Sequence, residues 1–187
     1  MVLFITISLL HGTTPFYQQL AQSAEKLTEQ SVQYDPTYFV IDYPNGDVPA
    51  DKGVCTDVVV RAYRLCDIDL QQLVHEDMKA HFDLYPNFWG LKKPDTNIDH
   101  RRVPNLQVFF KRHGTTLPIT KDPADYNPGD IVCWDLGRGI RHIGIVVNSL
   151  SPDGTPYIVH NIGAGQVKED VLFNFNIIGH YRYGAPH

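Results

Sequence analysis

The sequence is poor in cysteine and in long apolar runs, and it has no excess of positive charge. Each shortage excludes something. Its three cysteines, Cys55, Cys66 and Cys133, lie far apart and form no Cys-x-x-Cys pair, the spacing on which structural zinc sites are built. Cys66 and Cys133 are open to two readings, a disulfide in an oxidising compartment or buried free thiols among small apolar neighbours. The apolar run Val2-Leu-Phe-Ile-Thr-Ile-Ser-Leu-Leu10 is too short to cross a bilayer as a helix. Basic residues come as pairs, Arg101-Arg102 and Lys111-Arg112, and the formal net charge is −5. Neither nucleic acid nor stable membrane insertion is therefore expected. No internal repeat or low-complexity stretch breaks the chain.

What is present describes an ordinary globular chain. With 187 residues, 43% of them hydrophobic and 20% charged, one domain can bury a real core. The N-terminal apolar run resembles the core of a secretory signal without its basic flank. Ala21-Gln-Ser-Ala24 can be read either as a cleavage site or as helix surface. The expected organisation is a signal-like segment and a first helix over residues 1–33, then a domain over 34–187, located in the periplasm or secreted.

Periodicity predicts a helix over 16–30, a short strand at Tyr38–Asp42, and a loop dense in turn residues from Tyr43 to Gly53. Helices follow over 55–66, 70–82 and 103–113, the last with Pro104 in its first turn. Between the last two lies a long irregular aromatic stretch from Tyr85 to Arg102, a length at which loops are usually functional. From residue 130 the pattern changes to strands: 130–134, 142–147, a Pro152-Asp-Gly-Thr turn, 157–160, and closing strand within 173–183. Helices first and antiparallel strands second make an α+β domain.

Cys55 opens its helix, and the apolar residues Val58, Val59, Ala62, Tyr63 and Cys66 continue one face from it. That phase turns the sulfur inward. A nucleophilic thiol needs a helix N-terminus or a neighbouring imidazole to favour its thiolate. Two strand histidines could supply the imidazole. His142 shares a strand face with Gly144 and Val146, and Gly144 leaves space where a helix could approach. His160 shares a face with Ile158 and can sit beside His142 to orient its ring. Taken singly, a cysteine on an apolar stripe is core and a strand histidine is a satisfied polar group; their joint order is what suggests chemistry. A mononuclear metal site on Cys55, His142 and His160 competes with this reading.

Tyr43-Pro-Asn-Gly46 before Gly53-Val-Cys55, Pro128-Gly-Asp130 before Ile131-Val-Cys-Trp134, and His142-Ile-Gly144 before Ile158-Val-His160 together resemble the NlpC-type cell-wall amidopeptidases of the papain-like superfamily. Within that superfamily the chain is similar to a bacterial domain family of unknown function. The resemblance implies a papain-like fold, with helices, one bearing the cysteine, packed on a C-terminal antiparallel sheet. It implies Cys55 as nucleophile, His142 as general base and acid, His160 as orienting residue, and Tyr43 near the oxyanion site. It needs no cofactor or metal. The implied reaction is amide hydrolysis through a thioester in peptidoglycan stem peptides, and the chain is expected to be a monomer. Acyl transfer or thioester hydrolysis, and a non-catalytic wall-binding domain, are the alternatives. Asp57 stands where the family commonly has glycine and is expected to bind a substrate amine or another side chain. Arg101 and Arg102 are expected either to clamp a substrate carboxylate or to pin their loop with salt bridges.

Overall fold

The computed structural model describes residues 15–184. The apolar run Val2–Leu10 lies outside these residues. Four α-helices, α1 (Pro15–Leu27), α2 (Cys55–Arg64), α3 (Leu70–Ala80) and α4 (Val103–His113), accompany eight strands, β1 (Gln33–Tyr34), β2 (Lys52–Gly53), β3 (Thr115–Thr116), β4 (Ile131–Asp135), β5 (Arg141–Leu150), β6 (Pro156–His160), β7 (Val167–Glu169) and β8 (Asn176–Arg182). The last six form one antiparallel sheet in the order β3-β8-β4-β5-β6-β7. The fold is therefore α+β. Among the described residues no helix is long and apolar enough to cross a membrane.

The sheet divides the interior. Strand alternation sends Cys133, Ile143, Ile145, Val147 and Val159 to one face, where they pack with α1, α2 and α4. Val132, Trp134, Val146 and Ile158 point the other way, into a smaller core closed by Tyr126 and Leu172. Helix α2 is the most enclosed helix. Val58, Val59, Ala62 and Tyr63 are fully buried, and each such aliphatic or aromatic side chain contributes about 1.5–3 kcal/mol of burial, alanine less. Ala21 and Ala24 are likewise fully buried in α1, so within the small-residue stretch only Gln22 lies on the helix surface.

Two expectations change. Tyr38–Asp42 is not a strand: Tyr38 and Val40 are exposed, and the segment is held by side chains instead, Ile41 N–H donating to Asn97 Oδ1 at 2.9 Å. The apolar character of that stretch had no partner strand to satisfy. Gly144 does not receive a helix either. A Cβ there would meet Ile158 Cγ2 at 2.6 Å and His160 Cβ at 3.2 Å, so the glycine makes room for β6 on the face away from α2. All three cysteines are free thiols.

The Pro128-Gly-Asp turn places a buried anion behind the sheet. Gly129 adopts φ +85° against the Tyr17 backbone, a conformation that suits glycine alone. Asp130, fully buried, then accepts from Asn127 N–H (2.8 Å), from His180 Nε2 (2.8 Å) and from Arg182 Nε. Breaking a buried ion pair from one side leaves its partner uncompensated, at a cost of about 3–5 kcal/mol. Asp130→Ala is accordingly expected to lower unfolding stability by that amount in urea titration, while Arg112→Ala on the partly exposed α4–α3 pair with Asp77 loses about 1 kcal/mol or less.

Candidate active site

Cys55 is the first residue of α2, directly after the extended residue Val54. Its helix start is fixed by Asp57, whose carboxylate accepts from Val54 N–H at 2.7 Å. This is one half of a capping box, since valine has no side-chain oxygen to return the bond. The thiol is only 8% exposed. The backbone N–H groups of Ile143 and Thr56 lie near enough to favour its thiolate, against the larger opposing effect of burial. The sulfur therefore lies near the main chain of the residue that follows His142.

His142 lies on the opposite face of β5, beside Trp134 with ring centroids 5.6 Å apart. Its Nε2 is 2.9 Å from His160 Nδ1. His160, fully buried, places its own Nε2 2.9 Å from Glu169 Oε2 on β7. The Nε2–Nδ1 contact leaves His142 Nδ1 as the ring nitrogen not engaged by His160. The sulfur and the imidazole therefore approach β5 from its two faces, with the Ile143 amide between them. β6 ends at His160, and the next residue, Asn161, donates to Gly53 O at 3.1 Å. That bond ties the histidine strand to the loop entering the cysteine helix.

A cleft of about 590 Å³ opens over the thiol. Tyr34, Val54, Cys55, Trp89, Arg102 and Arg141 are among its lining residues. Tyr34 is there because β1 pairs in parallel with β2, setting Tyr34 opposite Gly53. Burial raises its pKa first, with the nearby Cys55 and Asp57 charges adding to this. Arg102 lays its guanidinium over the Trp89 ring, 3.9 Å from the centroid, a cation–π contact in the wall of the cleft.

Several expected roles shift. Tyr43 packs edge-on against His75, with ring centroids 5.2 Å apart, and does not line this cleft; Tyr34 occupies the place beside Cys55 instead. Arg101 is committed: its Nε and Nη2 hold the two Asp57 oxygens at 2.9 and 3.1 Å, and Nη1 donates to Thr37 O. Neither Asp57 nor Arg101 is thereby available to a substrate amine or carboxylate. Only Arg102 of the arginine pair faces the cleft with its side chain uncommitted to a carboxylate. Glu169 and Tyr34 sit on strands of two or three residues, too short for any periodic signal. Among the described residues, no three His, Cys, Asp or Glu side chains converge as metal ligands.

Burial governs the charges. It pushes the Cys55 thiol up to about 12 and the His142 imidazole down to about 3, His160 adding to the latter. His160 is lowered as well, by burial, against the opposing pull of Glu169. At rest the thiol and both imidazoles are neutral. Either charge alone is costly here, whereas a thiolate and an imidazolium formed together would carry no net charge.

A model of a domain of unknown function, DUF1287, matches residues 21–183 of the chain. The uncharacterized protein YijF of Escherichia coli (strain K12) is 54% identical over 164 residues, which is 88% of this chain and 80% of that protein. Two solved structures, NlpC1 and NlpC2 from Trichomonas vaginalis, each align with a TM-score of 0.48 at 14% and 15% identity over 89% of this chain. The chain spans 44% and 47% of their lengths, just under half of either.

The buried neutral histidines make stability depend on pH in a definite direction. His142 and His100 both fall from the ordinary 6.5 to about 3, chiefly through burial. Between those values the unfolded chain takes up protons that the folded one refuses, so stability is full above about pH 6.5 and falls as pH drops towards 3. Urea midpoints measured from pH 7 to pH 4 should decline by the equivalent of a few kcal/mol, and His100→Gln should flatten that decline.

Proposed function

We propose that this chain, which belongs to the DUF1287 family of domains of unknown function, is a cysteine hydrolase that cleaves an amide bond through a thioester. Cys55 is the nucleophile in this reading, His142 the base and then the acid, and His160 the residue that orients His142. The observations that support it are the place of Cys55 at the start of α2, in the wall of the cleft, and the buried histidine pair that holds His142 Nε2 2.9 Å from His160 Nδ1.

In the proposed reaction His142 Nδ1 takes the thiol proton as the sulfur attacks the carbonyl carbon. The C–S bond forms, and the carbonyl electrons move to oxygen, where the N–H groups that begin α2 are placed to receive the charge. Collapse expels the amine, which leaves with the proton from His142. Water, deprotonated by the same nitrogen, then opens the thioester and restores the thiol. Moving the proton directly between two neutral groups suits a site where an isolated charge is disfavoured.

The lining of the cleft suggests the substrate. Aromatic and apolar walls with one guanidinium stacked on Trp89 suit a peptide that carries a free carboxylate, as peptidoglycan stem peptides do. A cell-envelope location, periplasmic or secreted, accords with that substrate. Acyl transfer or thioester hydrolysis could use the same residues. One observation favours a different reading, a non-catalytic domain that binds wall peptides: the thiol is buried and its pKa raised, as in an inert core cysteine.

Incubating purified sacculi with the protein and identifying released fragments by mass spectrometry separates these. The hydrolase reading expects fragments that vanish with Cys55→Ser and fall about 10²- to 10⁴-fold in rate with His142→Ala. Sacculus binding that persists in all forms, with no Cys55-dependent fragment, would leave only the binding domain. Arg102→Ala should raise KM about tenfold with kcat little changed, as removal of a ground-state carboxylate contact does.

A further inference from the structure

We infer that Glu169 is a positioning residue that selects the base-competent tautomer of His142 through His160, an inference that rests on the hydrolase reading for its catalytic consequence. Three groups stand in line: Glu169 Oε2 2.9 Å from His160 Nε2, and His160 Nδ1 2.9 Å from His142 Nε2. Each neutral imidazole carries one N–H, and a carboxylate oxygen can only accept. His160 must therefore hold its proton on Nε2 to donate to Glu169, which leaves its Nδ1 bare. A bare Nδ1 accepts, so His142 must hold its proton on Nε2. His142 Nδ1 is then the lone pair, the one arrangement in which that nitrogen can take a proton from the thiol.

Without an acceptor at position 169 the chain has a second arrangement of equal hydrogen-bond count. His160 Nδ1–H would donate to His142 Nε2, and His142 would carry its proton on Nδ1, where it can no longer act as a base. Two neutral rings in contact cannot choose between these states by themselves. The choice comes from outside the pair, from the Glu169 side chain that meets His160 Nε2. The geometry follows from the sheet. β7 pairs with β6 so that Glu169 stands opposite Ile158, two residues from His160. That is a diagonal neighbour on one face, within reach of a long side chain. His160 is fully buried, whereas the Glu169 side chain is 43% exposed. The partly exposed acid thus fixes proton positions in the dry interior without having to enter it.

The test reads the tautomers directly, by long-range ¹H–¹⁵N correlation on the histidine-labelled full chain, with signals assigned through His142→Gln and His160→Gln. In the wild type both rings should show protonated Nε2 and bare Nδ1. Glu169→Ala should put a large share of His142 into the Nδ1–H form, and Glu169→Lys, which sets a donor where the acceptor stood, should do so more fully. In the sacculus assay both variants should lose about 10- to 100-fold in kcat with KM unchanged, less than direct removal of the base because water can reach position 169. Either variant, folded by circular dichroism, with His142 Nδ1 still bare would overturn the inference. The spectra need no activity. A tautomer shift in a protein that releases no fragments would keep the relay and sink the hydrolase, and fragment release with unmoved tautomers would do the reverse.

Discussion

The buried pair between Asp57 and Arg101 is the constraint on which the surroundings of Cys55 depend. Both side chains are almost completely removed from water, at 3% and 2% exposure, so neither charge can be left without the other. Asp57 spends its remaining capacity on Val54 N–H and so sets where α2 begins. Arg101 spends its own on the carbonyls of Thr37 and Asp35. One ion pair thereby joins the cysteine helix, the turn before α4 and the segment after β1. Tyr34, Arg102 and the thiol keep their mutual places around the cleft because those three pieces cannot shift independently.

The sheet supplies the second constraint. A strand sends alternate side chains to opposite faces, so the helical face and the histidine face of β5 cannot mix their side chains. Cys55 stands on the helical face near the main chain of Ile143, the residue next to His142, while His142 itself points to the other face. Gly144 contributes on the histidine side, where the lack of a Cβ lets His160 close on His142. Asn161 and Gly53 then hold the strand end to the loop that leads into the cysteine helix.

Such enclosure has an electrostatic consequence. The thiol and both imidazoles are largely buried, which disfavours single charges and keeps the resting groups neutral. Proton position then matters more than charge, and hydrogen-bond partners determine proton position. A relay that starts at a partly exposed carboxylate and ends at a buried ring is consistent with that economy of charge.

Much of this was legible from the sequence because it was local. Helix phase from Cys55 to Cys66, Pro104 in a first turn, the Pro-Gly-Asp turn and the parity of His142 with Gly144 each involve neighbours along one element. These determined the α+β class, the inward thiol and the pairing of two histidines. What the sequence left open depended on residues far apart in the chain. Whether Arg101 met a substrate or Asp57, forty-four residues away, was decided by packing. So was the choice of Tyr34 over Tyr43 beside the thiol, which a two-residue strand settles through its register with Gly53. Glu169 entered the histidine chain only through the pairing of β6 with β7. Local pattern specifies which face a side chain takes, but its partner across the core is fixed only when the elements bury their faces together.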